Sequence, residues 1–161
     1  MDKGTHGRKD RLIKEERHDS YRQKEKLPEP SRCGDCGVLY ANGRWTWAEP
    51  PEKSHLTTCP ACRRIADHYP AGTIKLGGFF YDQHRDEIWN LIHNTEKQEK
   101  QERPLERIMD FTDADGQTEV RTTGVHLARR IGEALSRSYH GEFSFQYGDG
   151  DKSIRVQWHR E

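Results

Sequence analysis

Short runs that alternate apolar and polar residues, separated by turn residues, predict three β-hairpins along this chain. The first consists of the runs CGVLY and RWTW on either side of Asn42-Gly43. Asn-Gly is the strongest short hairpin signal, because both turn positions readily adopt positive φ. Two further hairpins are predicted in the last third of the chain, with strands at 105–112 and 118–123 and at 142–147 and 153–159.

Helical periodicity is clearest at 125–139, where apolar residues recur every three to four positions. The predicted inner face is Ala128, Ile131, Ala134, Leu135 and Tyr139, and the predicted outer face is His126, Arg129, Arg130, Glu133 and Arg137. A second helix is predicted from residue 82 to about 101, apolar at first and then polar, and Pro104 ends it. A short helix at 63–69 and a strand at 73–80 complete the prediction.

Two CxxC pairs flank the first hairpin and are separated by 22 residues; they are Cys33 with Cys36, and Cys59 with Cys62. A CxxC turn lets two sulfurs reach one ion, and two such turns complete a tetrahedral shell. The spacing therefore predicts a structural zinc site of the zinc-ribbon type, with disulfides, an iron site or a redox dithiol as alternatives. Four thiolates leave no position for water or substrate, so a catalytic zinc is not expected. For the same reason the nearby His55 is expected to be a surface residue.

These elements predict an α+β fold in which a zinc ribbon is followed by a long helix and a small β-β-α-β-β domain. The expected segments are a flexible charged arm at 1–30, a four-cysteine zinc ribbon at 31–80, a connecting helix at 81–103 and the α+β domain at 104–161. The arm has nine basic and seven acidic residues and few large apolar ones, so it cannot bury a core by itself. It either becomes ordered against a partner such as RNA or remains a solvated tail.

The composition limits the size of any core. Only 31% of the residues are hydrophobic and the mean hydropathy is -1.15, so we expect small cores that a bound metal helps to hold together. No run of about 18 apolar residues and no signal peptide is visible, so a soluble, cytoplasmic protein without a membrane partner is expected. The net charge is zero, so any contact with nucleic acid must come from local patches.

Aromatic and basic residues surround the predicted metal site. Arg44 and Trp45 follow the hairpin turn, and Arg63 and Arg64 follow the second cysteine pair. Arginines beside aromatic rings can clamp and stack single-stranded RNA, so these four residues are candidate RNA contacts. The alternative is that Trp45 and Trp47 cover the small metal core while the arginines face water.

The predicted helix at 125–139 adds Arg129, Arg130 and Arg137 as candidate phosphate contacts, although any surface helix carries a charged outer face. The sequence has no Ser-His-Asp or Cys-His order that would indicate a catalytic site, no HExxH motif and no phosphate-binding glycine loop. An enzyme, and with it a small-molecule substrate, is therefore not expected.

The stretches DRLIKEERHDSYRQKEKLPEP, CGDCG, GRWTW, CPACRRIADHYPAG, HRDEIWNLIHNTE, PLERIM and VHLARRIGEAL span most of the chain. In them the chain resembles a small family of bacterial zinc-ribbon proteins. More distantly, it is similar to the N-terminal and middle parts of the adaptor that escorts the large ribosomal subunit out of the nucleus. By position, only Cys33, Cys36, Cys59 and Cys62 match the zinc ligands of that adaptor, whose further cysteine pairs and C-terminal domains are absent here. The resemblance implies binding to the ribosome or to rRNA.

Together, these features favour a zinc-ribbon RNA-binding protein that associates with the ribosome in assembly, quality control or dormancy. The competing interpretation is a protein-interaction or transcription-linked zinc module without RNA binding, which the neutral net charge favours. The two interpretations differ in whether the basic candidates form one continuous surface, and scattering over opposite faces would weaken the RNA interpretation. These candidates are Arg44, Arg63, Arg64, Arg129 and Arg130.

Overall fold

A computed structural model describes residues 17–21 and 27–161. Within this part of the chain, two mixed β-sheets and four helices form an α+β fold, so the α+β class is confirmed. Two short parallel strands, β1 (Arg17–His18) and β10 (Gly150–Asp151), form a separate pair. The predictions for most of the charged arm fall on residues 1–16 and 22–26 and lie outside the described residues. No described helix combines the length and apolar character that a membrane crossing requires.

The smaller sheet contains the first predicted hairpin and has the strand order β4-β3-β2-β5. Its strands are β2 (Ser31–Cys33), β3 (Leu39–Ala41), β4 (Arg44–Thr46) and β5 (His55–Thr57). Strands β3 and β4 pair antiparallel around Asn42 and Gly43, which have φ angles of 55° and 77°. The Asn-Gly turn therefore forms where the sequence predicts it.

Helix α1 (Pro60–Asp67) begins at the second cysteine pair, three residues earlier than predicted. Cys59 is its N-cap, and Pro60 occupies the first turn, where its fixed φ suits a helix and its missing N–H has no partner to lose. The helix ends at His68, which adopts the left-handed conformation with φ of 54°. This geometry places both cysteines of the second pair at the start of α1.

The larger sheet has the strand order β7-β8-β6-β11-β9. Its strands are β6 (Gly72–Gly77), β7 (Ile108–Ala114), β8 (Gln117–Thr122), β9 (Glu142–Tyr147) and β11 (Ile154–His159). Strands β6 and β11 run parallel, whereas all other neighbours are antiparallel. The hairpins β7–β8 and β9–β11 correspond to the two hairpins predicted for this region.

Helix α4 (Val125–Tyr139) lies against one face of the larger sheet. The centre of its predicted apolar face is fully buried, at Ala128, Ile131 and Leu135. Gly132 permits a close approach to the sheet, because a Cβ there would lie 2.4 Å from the ring of Phe143. Helices α2 (Phe79–Gln83) and α3 (Arg85–Glu102) complete the described elements, and α3 packs beside α4.

The structure corrects the predicted boundaries at residues 80 and 103, because β6 and α3 both belong to the larger sheet and its core. Strand β6 lies between β8 and β11 in the centre of the larger sheet, and its Ile74 and Leu76 are fully buried there. Helix α3 contributes Ile88 and Ile92 to the same core, so it is more than a connector. The alternating pattern of β6 indicates a strand with one buried face, but it does not show which sheet supplies the neighbours.

Candidate metal centre and adjoining cleft

Both cysteine pairs meet between β2 and the start of α1. Cys33 ends β2, Cys36 lies in the following turn, and Cys59 and Cys62 lie at the N-terminus of α1. The four Sγ atoms all lie within 4.8 Å of one another, and the four cysteines are free thiols. Cys33 and Cys59 are completely buried. The structure therefore brings the four predicted ligands together as a group that could hold a metal ion.

Backbone N–H groups point at the sulfurs. The N–H of Cys59 donates to the Sγ of Cys33 over 3.3 Å, and the N–H of Cys62 donates to the Sγ of Cys59 over 3.4 Å. Such donors favour the thiolate form. At Cys33, burial opposes ionisation, but backbone donors outweigh it and lower the pKa to about 7.

At Cys59 and Cys62, burial has the largest effect on the pKa. It raises the pKa of Cys59, and it raises the pKa of Cys62 to about 11. Four sulfurs this close cannot all become anionic without a compensating cation, because each negative charge disfavours the next. A metal ion supplies that charge and binds the thiolate form. Among the described residues the cluster consists of sulfurs alone, so its donor set fits a metal that prefers thiolate ligands.

The larger sheet together with helices α2, α3 and α4, within residues 72–161, forms the larger domain, and residues 31–67 form the ribbon. A buried arginine from the larger domain completes the surroundings of the cysteines. Arg107 is 6% exposed, and its guanidinium donates to the Sγ of Cys36 over 3.1 Å and to the Sγ of Cys62 over 3.3 Å. Its distance to the Sγ of Cys59 is longer, at 3.8 Å. A divalent ion with four thiolates carries a net charge of about -2, so a buried cation is a suitable counter-charge.

Contacts on several sides fix the position of Arg107. Its Nε donates to the carbonyl of Pro104 over 2.9 Å, and its backbone N–H donates to Oγ1 of Thr123 over 2.8 Å. The ring centre of Trp47 lies 5.6 Å from its guanidinium carbon, and Trp47 Nε1 donates to the carbonyl of Lys100 over 2.8 Å. These contacts dock the ribbon on the larger domain. The sequence analysis missed Arg107, because no local motif connects it to cysteines so far away in the chain.

Glu106, the neighbour of Arg107, binds the N-terminus of helix α4. Its Oε1 accepts a hydrogen bond from the N–H of Leu127 over 2.7 Å. Gly124 makes room for this contact, because a Cβ there would lie 1.9 Å from Oε2 of Glu106. Burial raises the pKa of Glu106, although the N–H of Leu127 favours its charged form. The two adjacent residues therefore attach one segment to both the cysteine cluster and α4.

Replacing Glu106 by glutamine should change how stability depends on pH. Because the folded-state pKa is raised, the protonated carboxyl favours the native state below the usual pKa of glutamate. That contribution is lost as the pH rises through the raised value. As the pH rises above the usual pKa of glutamate, the melting temperature of the wild type should therefore fall relative to that of Glu106→Gln. Glu102→Gln is the control, because the Glu102 side chain is 76% exposed. Parallel profiles for the wild type and Glu106→Gln would contradict the buried-carboxyl account.

A cleft of about 560 Å³ opens where the ribbon meets the larger domain. The ribbon hairpin contributes Arg44 and the ring pair Tyr40 and Trp45, whose centroids are 5.1 Å apart. The larger domain contributes Arg103 and His126. The cleft is therefore lined by arginines and aromatic rings from two separate parts of the chain. Its lining also includes three acidic residues, Asp19, Glu102 and Glu106.

Cations dominate the charges around His126. Burial is the main reason that the pKa of His126 is lowered, and the charges of Lys152, Arg103 and Arg130 lower it further. Glu99 opposes them. This carboxylate is 7% exposed and lies 2.9 Å from Arg103 and 3.8 Å from Arg130. An anion entering this end of the cleft would therefore meet Arg103 together with the carboxylates of Glu102 and Glu106.

Comparison with models of protein families, with curated proteins and with solved structures finds no match for this chain. The resemblance to bacterial zinc-ribbon proteins and to the ribosomal export adaptor therefore remains a prediction. What can be argued about function comes from the cysteine cluster and the cleft beside it.

The candidate RNA contacts do not form one continuous surface. Arg44 and Trp45 line the cleft, whereas Arg63 is exposed on α1. Arg129 stacks on a phenyl ring of β9, and Arg137 is exposed near the end of α4. Arg130 lies near the cleft through its contact with Glu99. The cleft thus gathers a subset of the candidates and adds Arg103, which the sequence analysis did not single out.

Arg64 is corrected from a candidate RNA contact to a structural residue. It is 2% exposed and forms a salt bridge of 2.8 Å with Asp19. Its guanidinium carbon lies 4.3 Å from the ring centre of Tyr21 and 5.6 Å from that of Tyr69. A buried, paired guanidinium cannot reach a phosphate. Arg64 instead anchors residues 17–21 against α1.

Proposed function

We propose that this chain is a zinc-ribbon protein that binds RNA and associates with the ribosome in the cytoplasm, in subunit assembly, quality control or dormancy. The most direct support is the cleft, which is lined by Arg44 from the ribbon, by Arg103 from the larger domain and by the ring pair of Tyr40 and Trp45. The distant similarity to the adaptor that escorts the large ribosomal subunit adds to this support.

Zinc is the metal that suits the cysteine cluster best. Structural zinc prefers four ligands in a tetrahedral arrangement. The backbone N–H groups and Arg107 donate hydrogen bonds to the sulfurs, as is usual for thiolates that bind zinc. Four sulfur ligands leave no open position, so zinc here would supply folding energy. We therefore propose a binding protein and not an enzyme. The residues that would hold the ion are Cys33, Cys36, Cys59 and Cys62.

Single-stranded RNA suits the chemistry of the cleft. Arginine guanidinium groups bind phosphate oxygens, and unpaired bases stack on aromatic rings, whatever their sequence. Arg44 is exposed, and the Arg103 side chain is 45% exposed, so both can reach a ligand. The half-buried rings of Tyr40 and Trp45 would present an edge or face to a base. This role accounts for Arg44 and Trp45 among the sequence candidates but not for Arg129.

Replacing Arg44 or Arg103 by alanine should weaken the binding of a fluorescent single-stranded RNA about 3- to 10-fold. Each lost phosphate contact should also reduce the slope of log affinity against log salt by about 0.7. Arg137→Ala is the matched control, because Arg137 is an exposed arginine outside the cleft lining. Fluorescence anisotropy at several salt concentrations measures both quantities. Equal losses in all three variants would argue against binding in the cleft.

Sedimentation through sucrose gradients tests the ribosomal part. Tagged protein from growing and stationary cells should migrate with a ribosomal subunit or whole ribosomes at low salt and less so at higher salt. Arg44→Ala should reduce this migration while leaving the zinc content unchanged. A wild-type protein that stays at the top of every gradient, with its zinc bound, would refute ribosome association without affecting the assignment of the metal.

A protein-interaction module is the second candidate, favoured by the acidic part of the cleft lining. Asp19, Glu102 and Glu106 line the same cleft as the arginines, and the net charge of the chain is zero. A polypeptide partner with charges of both signs would also match such a surface. In that case Glu102→Gln and Arg44→Ala should weaken capture of the partner to similar extents, and neither should affect RNA binding.

A further inference from the structure

The two edges of the larger sheet differ in how they are protected against pairing. Edge strand β7 has a bulge between Ile108 and Asp110, and it carries acidic side chains. Edge strand β9, with the sequence EFSFQY, has no proline, no lysine and a single charge, at Glu142. Edge strands usually carry a bulge, a proline or several charged side chains, because an unpaired edge can bind a strand of another chain. Within the described part of the chain, no strand pairs with the outer side of β9.

The hydrogen bonds between β9 and β11 show which backbone groups point outward. In an antiparallel pair, opposed residues that exchange backbone hydrogen bonds alternate with those that do not. The N–H of Gly148 donates to the carbonyl of Ser153 over 3.0 Å, so Gln146 and Ser144 are the bonded residues within β9. The backbone N–H and C=O groups of Phe143 and Phe145 therefore point away from β11, toward the open edge.

The side chains of these outward residues are aromatic. Phe143 and Phe145 lie opposite Trp158 and Val156 of β11, on the face covered by α4. Phe145 is nevertheless 40% exposed. The guanidinium carbon of Arg129 lies 4.6 Å from the ring centre of Phe145, and Arg129 pairs with Glu133 at 3.6 Å. The edge therefore presents an exposed ring beside an ion pair of balanced charge.

We propose that β9 pairs antiparallel with β9 of a second copy of this chain, across a two-fold axis at Phe145. Each Phe145 would then face Phe145 of the other copy, and their outward N–H and C=O groups would form two backbone hydrogen bonds. In the same register Phe143 faces Tyr147 and Ser144 faces Gln146. Glu142 faces Gly148 and not a second carboxylate.

This self-complementarity is the reason for choosing a second copy over an unrelated partner. An isologous interface needs a surface that matches itself, and in this register aromatic residues meet aromatic residues and polar residues meet polar residues. A shift of one residue would set outward backbone groups of one copy against inward groups of the other. The two five-stranded sheets would join into one continuous sheet, without any role for the metal or for RNA.

Sedimentation equilibrium of the whole 161-residue chain, loaded with zinc, tests this pairing. The wild type should be dimeric, and Phe145→Lys should raise the dimer dissociation constant at least about tenfold, because two lysines would face each other across the axis. Gln146→Lys is the matched control on the opposite face of the strand, and it should stay dimeric. A wild type that is monomeric at its highest soluble concentration, or a Phe145→Lys variant that remains fully dimeric, would overturn the proposal.

Hydrogen exchange of the wild type gives an answer even if Phe145→Lys does not fold. The amides of Ser144 and Gln146 bond to β11, so they should be protected at every protein concentration. The amide of Phe145 points outward, so it should become protected only as the concentration rises and the dimer forms. Rapid exchange at Phe145 in a sample that sedimentation shows to be dimeric would place the interface elsewhere.

Discussion

Removing the metal with a chelator should unfold the ribbon and leave the larger sheet folded. The buried cluster of the ribbon consists of Cys33, Val38, Cys59 and Ala61, so the ligands themselves form half of it. Structural zinc in small modules contributes about 10–16 kcal/mol of apparent folding free energy, which so small a cluster cannot replace. The larger sheet has a core of its own. Hydrogen-exchange mass spectrometry should show lost protection across residues 31–67 and retained protection in β6 and β11.

The cysteine ligands can be tested genetically with a nearby control. Cys62→Ser should lose the ion and show the same exchange pattern as the chelated wild type. His55→Ala should keep about one zinc per chain, because four sulfurs already complete the shell and His55 is exposed. Metal content is measured by elemental analysis. A ribbon that remains protected after its metal has been removed would show that the metal is not structural. Iron instead of zinc in the elemental analysis would show that the proposed metal is wrong.

Replacing Arg107 by methionine should weaken the proposed zinc binding about 10- to 100-fold, the usual effect of losing a partner that bonds to metal ligands. The variant leaves the cysteine cluster without its buried counter-charge and frees the ribbon from the larger domain. Loss of one partner from a buried ionic contact typically costs about 3–5 kcal/mol, so the melting temperature should also fall. Competition with a chelator of known affinity measures the first effect, and thermal unfolding measures the second.

Two further variants show whether the effect depends on the charge of Arg107, on its planar shape, or on losing any arginine from this segment. Arg107→Lys keeps the positive charge but loses the planar guanidinium that reaches the sulfurs of both Cys36 and Cys62. Its zinc affinity should therefore lie between that of the wild type and that of Arg107→Met. Arg103→Met removes a half-exposed arginine from the same segment and should leave zinc affinity unchanged. Unchanged zinc affinity in Arg107→Met would mean that Arg107 only packs between the two units.

Local patterns predicted the parts of this fold that depend on neighbouring residues. The Asn-Gly hairpin, the four-cysteine cluster and the buried stripe of α4 each follow from spacing within a few residues. The cysteine pairs are the clearest case, because a CxxC turn brings two sulfurs together wherever it occurs. Their meeting at one point also depends on the parallel pairing of β2 with β5, which sets Cys33 opposite Thr57.

The features that sequence did not predict depend on contacts between distant parts of the chain. Arg64 looked like any exposed arginine of a short helix, but Asp19 and Tyr21 come from another segment to bury it. Arg107 has no sequence signal that distinguishes it from the other arginines of a charged chain. The place of β6 in the larger sheet likewise depends on partners that are far away in sequence. Side-chain spacing contains no information about such pairings.

The central position of β6 has a consequence for the order in which the domain folds. The hairpins β7–β8 and β9–β11 join neighbouring segments and can form on the order of microseconds. Strand β6 must instead find Thr122 on one side and Ile154, about half the chain away, on the other. Closing loops of that length delays a domain to the order of milliseconds or more. During that interval Ile74 and Leu76 face water on an incompletely paired strand, so this brief period is when the chain is most prone to aggregate.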